Sequence, residues 1–247
     1  MAYSSRRDSV QPDKGSAAPA LSAHGVAQRF GRHLVLRDAT FDVLWGTATG
    51  LLGANGAGKT TLLRILAGSL SPTRGSISVG GACLDGNPDA LRMSTALLAG
   101  ESYLYDALTA TENLRFAVRM TGGDASDSQI AEALDNVGLA YARDRRVRHF
   151  SSGMRKRLAL ARVVAMEPPV LLLDEPYASL DEDATCLVDQ VVDRWRAGGR
   201  AVVMATHRRE RAERVCDHCL YLVDGVALPE YPQSERDGPS RMMEVAP

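Results

Sequence analysis

The chain has 247 residues, of which 45 % are hydrophobic and 24 % charged, ordinary values for a globular protein of one large domain or two small ones. The formal net charge of −1 provides no basic excess, so nucleic acid is not expected as a main partner. The sequence has no apolar run near the ~20 residues of a membrane helix and no N-terminal signal peptide, so we expect a cytoplasmic protein.

Composition predicts a folded middle with two tails. Residues 1–20 are rich in Ser, Ala, Pro and charge, and residues 229–247 show a similar shift, which is typical of disordered tails. The folded unit is therefore predicted at 21–228, and we find no internal repeat in it.

Short β-type runs alternate with helical stretches in this unit. Strands are predicted at 47–52, 170–173 and 201–205, and helices at 60–67, 127–137, 155–164 and 187–195. This alternation predicts an α/β fold with a mostly parallel sheet. The stretch 108–147 has helical signals and no convincing strand, so it is predicted to be a helical insertion.

The segment after the first of these strands fits the phosphate-loop pattern GxxxxGK[ST] and opens a helix, the context that confirms this motif. Its glycines let successive backbone N–H groups turn toward phosphate oxygens, and the helix adds the positive end of its dipole. We expect Lys59 to contact the β- and γ-phosphates, Thr60 to bind Mg²⁺ and Thr61 to reach the α-phosphate. The predicted nucleotide-binding residues here are Gly53, Ala54, Asn55, Gly56, Ala57, Gly58, Lys59, Thr60 and Thr61.

The apolar strand at 170–173 ends in two acids, Asp174 and Glu175. Such a strand places Asp174 at the edge of the sheet beside the phosphate loop, where it can hold Mg²⁺ through water. Because side chains alternate along a strand, Glu175 is predicted to face the opposite way and to act as general base on the attacking water. The alternative is an ordinary strand end with a solvated acidic turn, which the nearby phosphate loop disfavours.

Further segments make the pattern specific. Residues 150–162 read FSSGMRKRLALAR, residues 178–181 read ASLD, and Thr206-His207 follows the strand predicted at 201–205. Together with Phe30-Gly31 and the two motifs above, they resemble, in order and over about residues 23–226, the ATP-binding subunits of ABC transporters, whose signature is usually LSGGQ. In this chain Ser152 replaces the first glycine of that signature and Met154 the glutamine.

The resemblance implies an ABC-type P-loop NTPase fold, in which a mostly parallel core sheet carries an antiparallel β subdomain and a helical subdomain inserted at about 101–150. It implies ATP and Mg²⁺ as cofactors, adenine stacking on Phe30, and a γ-phosphate contact from His207. A packed core position for Phe30 and a packed strand-end position for His207 are the structural alternatives. The implied catalytic residues are Glu175, His207 and Lys59, and the implied metal ligands are Thr60 and Asp174.

The resemblance also implies partners. Two subunits, expected to be a homodimer, face head to tail so that Ser151 and Gly153 of one contact the nucleotide of the other. A multi-span membrane permease attaches at the helical insertion, which places the subunit on the cytoplasmic face of the membrane without direct membrane contact. The signature and residues 108–114 look like those of heme-exporter and ABC-2 drug-export subunits. The rival classes are a soluble ABC ATPase acting on ribosomes or DNA and a weakly hydrolysing nucleotide switch.

One position departs from the family. Where the family usually has a glutamine that touches Mg²⁺ and the membrane partner, this chain has Gly100, followed by Glu101. Glu101 is either a metal or water contact that replaces the glutamine or a surface acid at the edge of the insertion.

Two other patterns allow a structural and a functional interpretation. The basic run at 155–157 is either a nucleic-acid patch or, as we favour, the exposed face of the signature helix. Cys216 and Cys219 form a lone CxxC, which without a second ligand pair favours small buried residues over a metal or redox site.

Overall fold

The computed structural model describes residues 18–83, 88–99, 103–178 and 182–229. The two predicted tails therefore lie almost wholly outside the described residues. Within these four stretches, no helix combines the length and the apolarity needed to cross a membrane.

In the described residues, ten strands form one mixed sheet. Their bounds are β1 (Leu21–Phe30), β2 (His33–Val43), β3 (Ala48–Leu52), β4 (Arg74–Val79), β5 (Ala82–Cys83), β6 (Thr95–Leu98), β7 (Val170–Asp174), β8 (Ala201–Thr206), β9 (His218–Val223) and β10 (Val226–Leu228). The strand order is β5–β4–β1–β2–β10–β9–β3–β8–β7–β6. Strands β9, β3, β8, β7 and β6 run parallel to one another, whereas β1, β2, β4 and β5 pair antiparallel. The predicted α/β class, with a mostly parallel core and an antiparallel part, is confirmed.

The described part of the chain contains seven helices. They are α1 (Lys59–Leu66), α2 (Pro88–Ser94), α3 (Ala110–Met120), α4 (Asp127–Asp135), α5 (Ser152–Ala165), α6 (Glu182–Ala197) and α7 (Arg209–Val215). The three strands and four helices predicted from the sequence are all present. The helix predicted at 187–195 is longer at its start, because α6 begins at Glu182.

Strand β7 shows why the core sheet is buried on both faces. Val170 and Leu172 belong to one apolar core together with Leu62 of α1, whereas Leu171 and Leu173 belong to the opposite core with residues of α6. Side chains alternate across a strand, so an all-apolar run requires cover on both faces. Helices on both sides of a parallel sheet provide that cover.

The insertion has an apolar core of its own. Helix α3 begins with a capping box of Thr109 and Glu112, and α4 begins with one of Ser126 and Gln129, so both starts are stabilised locally. Their buried faces pack against Leu158 of α5. Residues on the opposite face of α5 belong to the core under β7. Helix α5 therefore joins the insertion to the sheet.

The strand order brings three loops together. Strand β8 lies between β3 and β7, and the pairs Leu52–Thr206 and Asp174–Ala205 place the carboxyl ends of the three strands level. The phosphate loop after β3, the acid pair at the end of β7 and His207 after β8 therefore meet at one edge of the sheet, where ligands of open α/β sheets bind.

Candidate active site

The phosphate loop leads into a helix whose first turn has no side-chain cap. The residue before α1 is Gly58, with φ of +102°, and no side chain caps the helix start. A β-carbon at Gly58 would lie 3.0 Å from Leu36 and 3.1 Å from Val35, so glycine is required by both the backbone angle and the space. The free N–H groups and the helix dipole make this terminus suitable for an anion such as phosphate.

The close approach of Val35 and Leu36 to Gly58 also locates Phe30, the predicted adenine platform. Val35 and Leu36 belong to β2, which pairs with β1, and Phe30 lies at the tip of that hairpin opposite His33. The ring of Phe30 is half-exposed. It is therefore not packed in the core, and its hairpin lies against the phosphate loop.

Lys59 is a buried cation inside the loop. Its Nζ donates to the carbonyl oxygens of Gly53 at 2.7 Å and Ala54 at 3.1 Å, and lies 3.8 Å from Oε1 of Glu175. The ammonium group therefore stands between the phosphate loop and the acid pair. Thr60 and Thr61 follow it in the first turn of α1.

Asp174 is a buried carboxylate that lacks a full set of partners. It hydrogen-bonds Thr60, but its Oδ1 has no hydrogen-bond partner among the described residues. Burial is the main reason that the pKa of Asp174 is raised, and the neighbouring Glu175 charge adds to it, whereas the hydrogen bond from Thr60 opposes it. A hydroxyl and a carboxylate with a free oxygen are hard ligands, and this pair fits Mg²⁺.

Glu175 does not continue the strand. Strand β7 ends at Asp174, and Glu175 has φ of +47°, in the left-handed region that non-glycine residues rarely adopt. Its N–H donates to the carbonyl of Ala205 at 2.8 Å. The expectation that strand alternation turns Glu175 away from Asp174 is therefore wrong, because the backbone changes direction and brings this carboxylate to Lys59.

The second oxygen of Glu175 faces the loop after β8. The Thr206 hydroxyl donates to Oε2 at 3.2 Å, and Nδ1 of His207 lies 3.0 Å from the same atom. The half-exposed imidazole thus stands at the phosphate-loop edge of the sheet, not packed in the core. Sequence reasoning missed Thr206 as a partner of Glu175, and its only signal was its place between a buried strand and His207.

The signature segment begins α5 on the other side of a cavity. Ser151 caps this helix by accepting the N–H of Met154 at 3.2 Å. The cavity has a volume of about 350 Å³, and both Ser152 and the acid pair line it. Among the described residues, no hydrogen bond or ion pair joins Ser151 or Gly153 to the phosphate loop, and apart from its chain neighbours the nearest side chain to Gly153 is that of Ser151 itself.

The space around Gly153 is not filled by other atoms of the chain. A β-carbon there would meet only the Ser151 hydroxyl, at 4.0 Å. Glycine at this helical position is therefore not demanded by packing within the chain. This openness is what an approaching ligand or second subunit would need.

The basic run after the signature makes local contacts. Arg155 pairs with Asp106 at 2.7 Å, and Lys156 donates to the carbonyl of Ala178 at 2.6 Å. The run lies in the signature helix as expected, but its three side chains are partly buried, so the expected fully exposed face is not found. Gly100, Glu101 and residues 179–181 lie outside the described residues.

The cysteine pair lies away from this edge, at the opposite end of β9. Burial raises the pKa of Cys216 to about 12, and burial is also the main cause that raises the pKa of Cys219. Both thiols are therefore protonated near neutral pH. Within the described stretches, no group of three His, Cys, Asp or Glu side chains is arranged to hold a metal ion.

Comparison with known proteins decides the family. The family model described as ABC transporter matches residues 36–178, which is more than half of the chain and contains the phosphate loop, the signature and the acid pair. The chain belongs to the ABC transporter family. It is an ATP-binding subunit of that family with an ATP-hydrolysing domain.

Several known proteins match most of the length of this chain. The cytochrome c biogenesis ATP-binding export protein CcmA of Bordetella bronchiseptica is 39 % identical over 207 residues, covering 83 % of this chain and 91 % of the relative. The Nod factor export ATP-binding protein I of Ralstonia nicotianae is 35 % identical over 216 residues, covering 87 % and 67 %. The ABC transporter ATP-binding protein NatA of Bacillus subtilis is 32 % identical over 196 residues, covering 78 % and 80 %.

Solved ABC structures share the fold. An ATP-binding subunit of an ABC transporter has a TM-score of 0.77 at 30 % identity, covering 84 % of this chain and 88 % of the other. A dimeric ATP-binding cassette bound to ADP and Pi in a post-hydrolysis state has a TM-score of 0.76 at 24 % identity, covering 84 % and 96 %.

Proposed function

We propose that this chain is the ATPase subunit of an ABC exporter, with the roles of its site residues as follows. The observation that carries the proposal is the position of Glu175, whose carboxylate faces Lys59 on one side and Thr206 and His207 on the other. In this place Glu175 can accept a proton from water that attacks the γ-phosphate, while His207 holds the carboxylate and reaches the phosphate.

The phosphate loop binds the nucleotide in this proposal. The N–H groups at the start of α1 hold phosphate oxygens, and Lys59 exchanges its contacts to the loop carbonyls for contacts to the β- and γ-phosphates. The exposed ring of Phe30 stacks on adenine. These residues bind and orient ATP, and Glu175 acts on the water.

Thr60 and Asp174 are the proposed ligands of Mg²⁺. The unpartnered oxygen of Asp174 supports this assignment, since a buried carboxylate oxygen without a donor is costly unless a cation satisfies it. When bound, Mg²⁺ neutralises charge on the phosphate oxygens.

A second copy of the chain completes the site. Ser151 and Gly153 lie at the exposed start of α5 and form no hydrogen bond with the phosphate loop of their own chain. The open space at Gly153 supports a role in contacting ATP held by the facing copy. ATP then joins the two subunits, and loss of the γ-phosphate weakens the contact from both sides.

The proposed permease docks on an exposed apolar surface formed by the insertion and the neighbouring helix α2, which we name the aromatic–methionine patch and define as Met93, Tyr105, Phe116 and Met120. Tyr105 and Phe116 pack edge to face with ring centroids 4.8 Å apart, and Met120 lies one turn beyond Phe116 on α3. Met93 lies beside Gly122, just after that helix. All four side chains are exposed, and clustered apolar side chains on a surface are typical of an interface.

Export is the proposed direction of transport because relatives named as export proteins match most of the chain. Heme export for cytochrome c maturation and ABC-2 drug export are the specific classes. Attachment through the permease would place the chain on the cytoplasmic face of the membrane, without direct membrane contact.

Replacing Glu175 by Gln tests the hydrolytic assignment. The amide keeps the shape of the side chain but cannot accept a proton, so we expect ATP affinity within about threefold of wild type and a kcat about 10²–10⁴-fold lower. The variant should also accumulate as an ATP-bound dimer, measured by size-exclusion chromatography.

Glu167 offers a matched control for this substitution. It also has φ of +47°, but its exposed carboxylate pairs with Arg200 at 3.9 Å. Glu167→Gln should therefore hydrolyse ATP at the wild-type rate. Wild-type turnover by Glu175→Gln would show that the general base lies elsewhere.

A further inference from the structure

Three polar side chains form a bridge behind the acid pair. Tyr177 is 1 % exposed, and its hydroxyl donates to Oδ1 of Asp189 at 2.8 Å. Arg211 donates to Oδ2 of the same carboxylate, and its guanidinium lies over the Tyr177 ring at 5.2 Å from the centroid. Each residue therefore contacts the other two.

The bridge connects the loop after β7, which carries Glu175, with the segment after β8, which carries His207. We call Glu175 and His207 the hydrolytic pair. Tyr177 lies two residues after Glu175, and Arg211 lies four residues after His207, in α7. Asp189 belongs to α6, which packs against one face of β7 and β8. From this helix its carboxylate contacts both Tyr177 and Arg211. The same two segments are also joined directly, because Nδ1 of His207 lies 3.0 Å from Oε2 of Glu175.

Besides the bridge, helix α7 packs on strands β3, β8 and β9, and Arg196 of α6 donates to the carbonyl of Val215 at its end. The helix has seven residues, of which Ala212 and Val215 are buried, and its first turn has no side-chain cap. A short uncapped helix is marginal by itself, so its position depends on tertiary contacts. Arg211 supplies a charge-assisted contact with α6, and such contacts are directional as well as strong.

The chemistry of the bridge is suited to a permanent contact. Burial, and then the hydrogen bond to Asp189, raise the pKa of the Tyr177 hydroxyl. Tyr177 therefore stays protonated and donates over the whole neutral range. The carboxylate of Asp189 accepts from both neighbours, one on each oxygen.

We propose that Tyr177, Asp189 and Arg211 are positioning residues that hold His207 against Glu175 for hydrolysis. The proposal rests on the roles proposed above for those two residues. The bridge does not touch the phosphate loop, so it acts on turnover and leaves nucleotide affinity unchanged.

Tyr177→Phe is the mildest test, because it removes one hydroxyl and keeps the ring beneath Arg211. We expect kcat to fall about three- to tenfold and KM for ATP to stay within twofold, with a larger fall in kcat for Asp189→Ala. Glu213→Gln is the matched control, since it breaks the pair with Arg209 inside α7 and leaves the bridge intact. It should keep the wild-type kcat.

A double-mutant cycle separates positioning from a general structural role. In a His207→Ala background, Tyr177→Phe should cause no further loss in single-turnover hydrolysis, because the alignment that it protects is already absent. Losses that multiply, an unchanged kcat, or a KM that rises together with a large fall in thermal midpoint would each overturn the proposal.

Failure of the bridge and failure of the proposed function give different results. If Glu175→Gln is inactive and Tyr177→Phe turns over normally, only the bridge proposal fails. If Glu175→Gln hydrolyses ATP at the wild-type rate, the assignment of the hydrolytic pair fails before the bridge is considered.

Discussion

The Asp174 carboxylate is 8 % exposed, and its Oδ1 has no hydrogen-bond partner among the described residues. A buried acceptor left without a partner costs about 1–3 kcal/mol. The folded pKa of Asp174 is raised, mainly by burial, so the native state binds the proton more tightly than the unfolded state does. The contribution of this group to stability is therefore most favourable at low pH and is lost as the pH rises through the folded pKa.

Asp174→Asn should consequently stabilise the chain in the absence of nucleotide. We expect the melting temperature at neutral pH to rise by about 2–4 °C per kcal/mol recovered, and the gain to shrink as the pH is lowered into the range where the native carboxyl is protonated. Adding Mg²⁺ and ATP should reverse the order, because only the carboxylate holds the cation well. Differential scanning fluorimetry across pH checks both effects, and a neutral-pH melting temperature at or below wild type would contradict the first.

For single residues, the sequence motifs predicted which side chains gather at the edge of the sheet but not the direction in which each side chain points. Strand periodicity gave the wrong direction for Glu175, because its left-handed φ of +47° is a tertiary outcome that no local pattern encodes. The part played by Thr206 depends on the pairing of β7 with β8, and that pairing is long-range.

Helix α5 carries the signature at its first turn, where glycine weakens a helix. Gly153 lies in α5 and does not have a positive φ. Alanine there would add a methyl group with no contact closer than 4.0 Å. Glycine in a helix costs roughly 0.5–1 kcal/mol relative to alanine. A position that gives up this stability without a packing reason in the chain is consistent with close approach by another molecule.

Gly153→Ala should therefore have opposite effects on stability and assembly. We expect the melting temperature of the free chain to rise by about 1–3 °C. In the Glu175→Gln background, the same change should weaken ATP-dependent dimerisation at least tenfold, while ATP affinity of the monomer stays unchanged. Analytical size exclusion at graded protein concentrations measures the effect, and undiminished dimer formation would argue against the signature as an interface.

Strand β1, which the sequence did not predict, lacks the usual pattern of a strand for a physical reason. It is interrupted by register shifts between Ala23 and Val26 and between Val26 and Gln28, so its buried residues come in runs of three instead of alternating. A strand without period-two alternation has no sequence signal of the usual kind. The strands β3, β7 and β8 were predictable because each is short, buried along its whole length and followed by a motif.

At the scale of the whole molecule, the mostly parallel sheet followed from the alternation of elements, whereas the strand order did not. That order places β8 between β3 and β7 and so assembles the site. The same chain keeps its signature on the far side of a cavity of about 350 Å³ and exposes the aromatic–methionine patch. Both features leave surfaces on which the proposed partners could dock.

We expect the aromatic–methionine patch to hold the membrane partner, and a charge placed in it should release that partner. Phe116→Asp would bury a carboxylate in an apolar contact, at a cost of several kcal/mol unless it is paired. Tyr141→Asp is the matched control, because this aromatic side chain is 78 % exposed and belongs to the turn Ala140–Ala142, outside the patch.

The experiment uses affinity-tagged chains expressed in the source cell, with membranes solubilised in mild detergent and the recovered proteins identified by mass spectrometry. The wild-type chain and Tyr141→Asp should recover the same multi-span membrane protein, and Phe116→Asp should recover at least tenfold less. Because no residue of the patch belongs to the nucleotide site proposed above, Phe116→Asp should still bind ATP with unchanged affinity, which separates a lost interface from a misfolded chain. Equal recovery by all three chains would show that the permease binds elsewhere on the molecule.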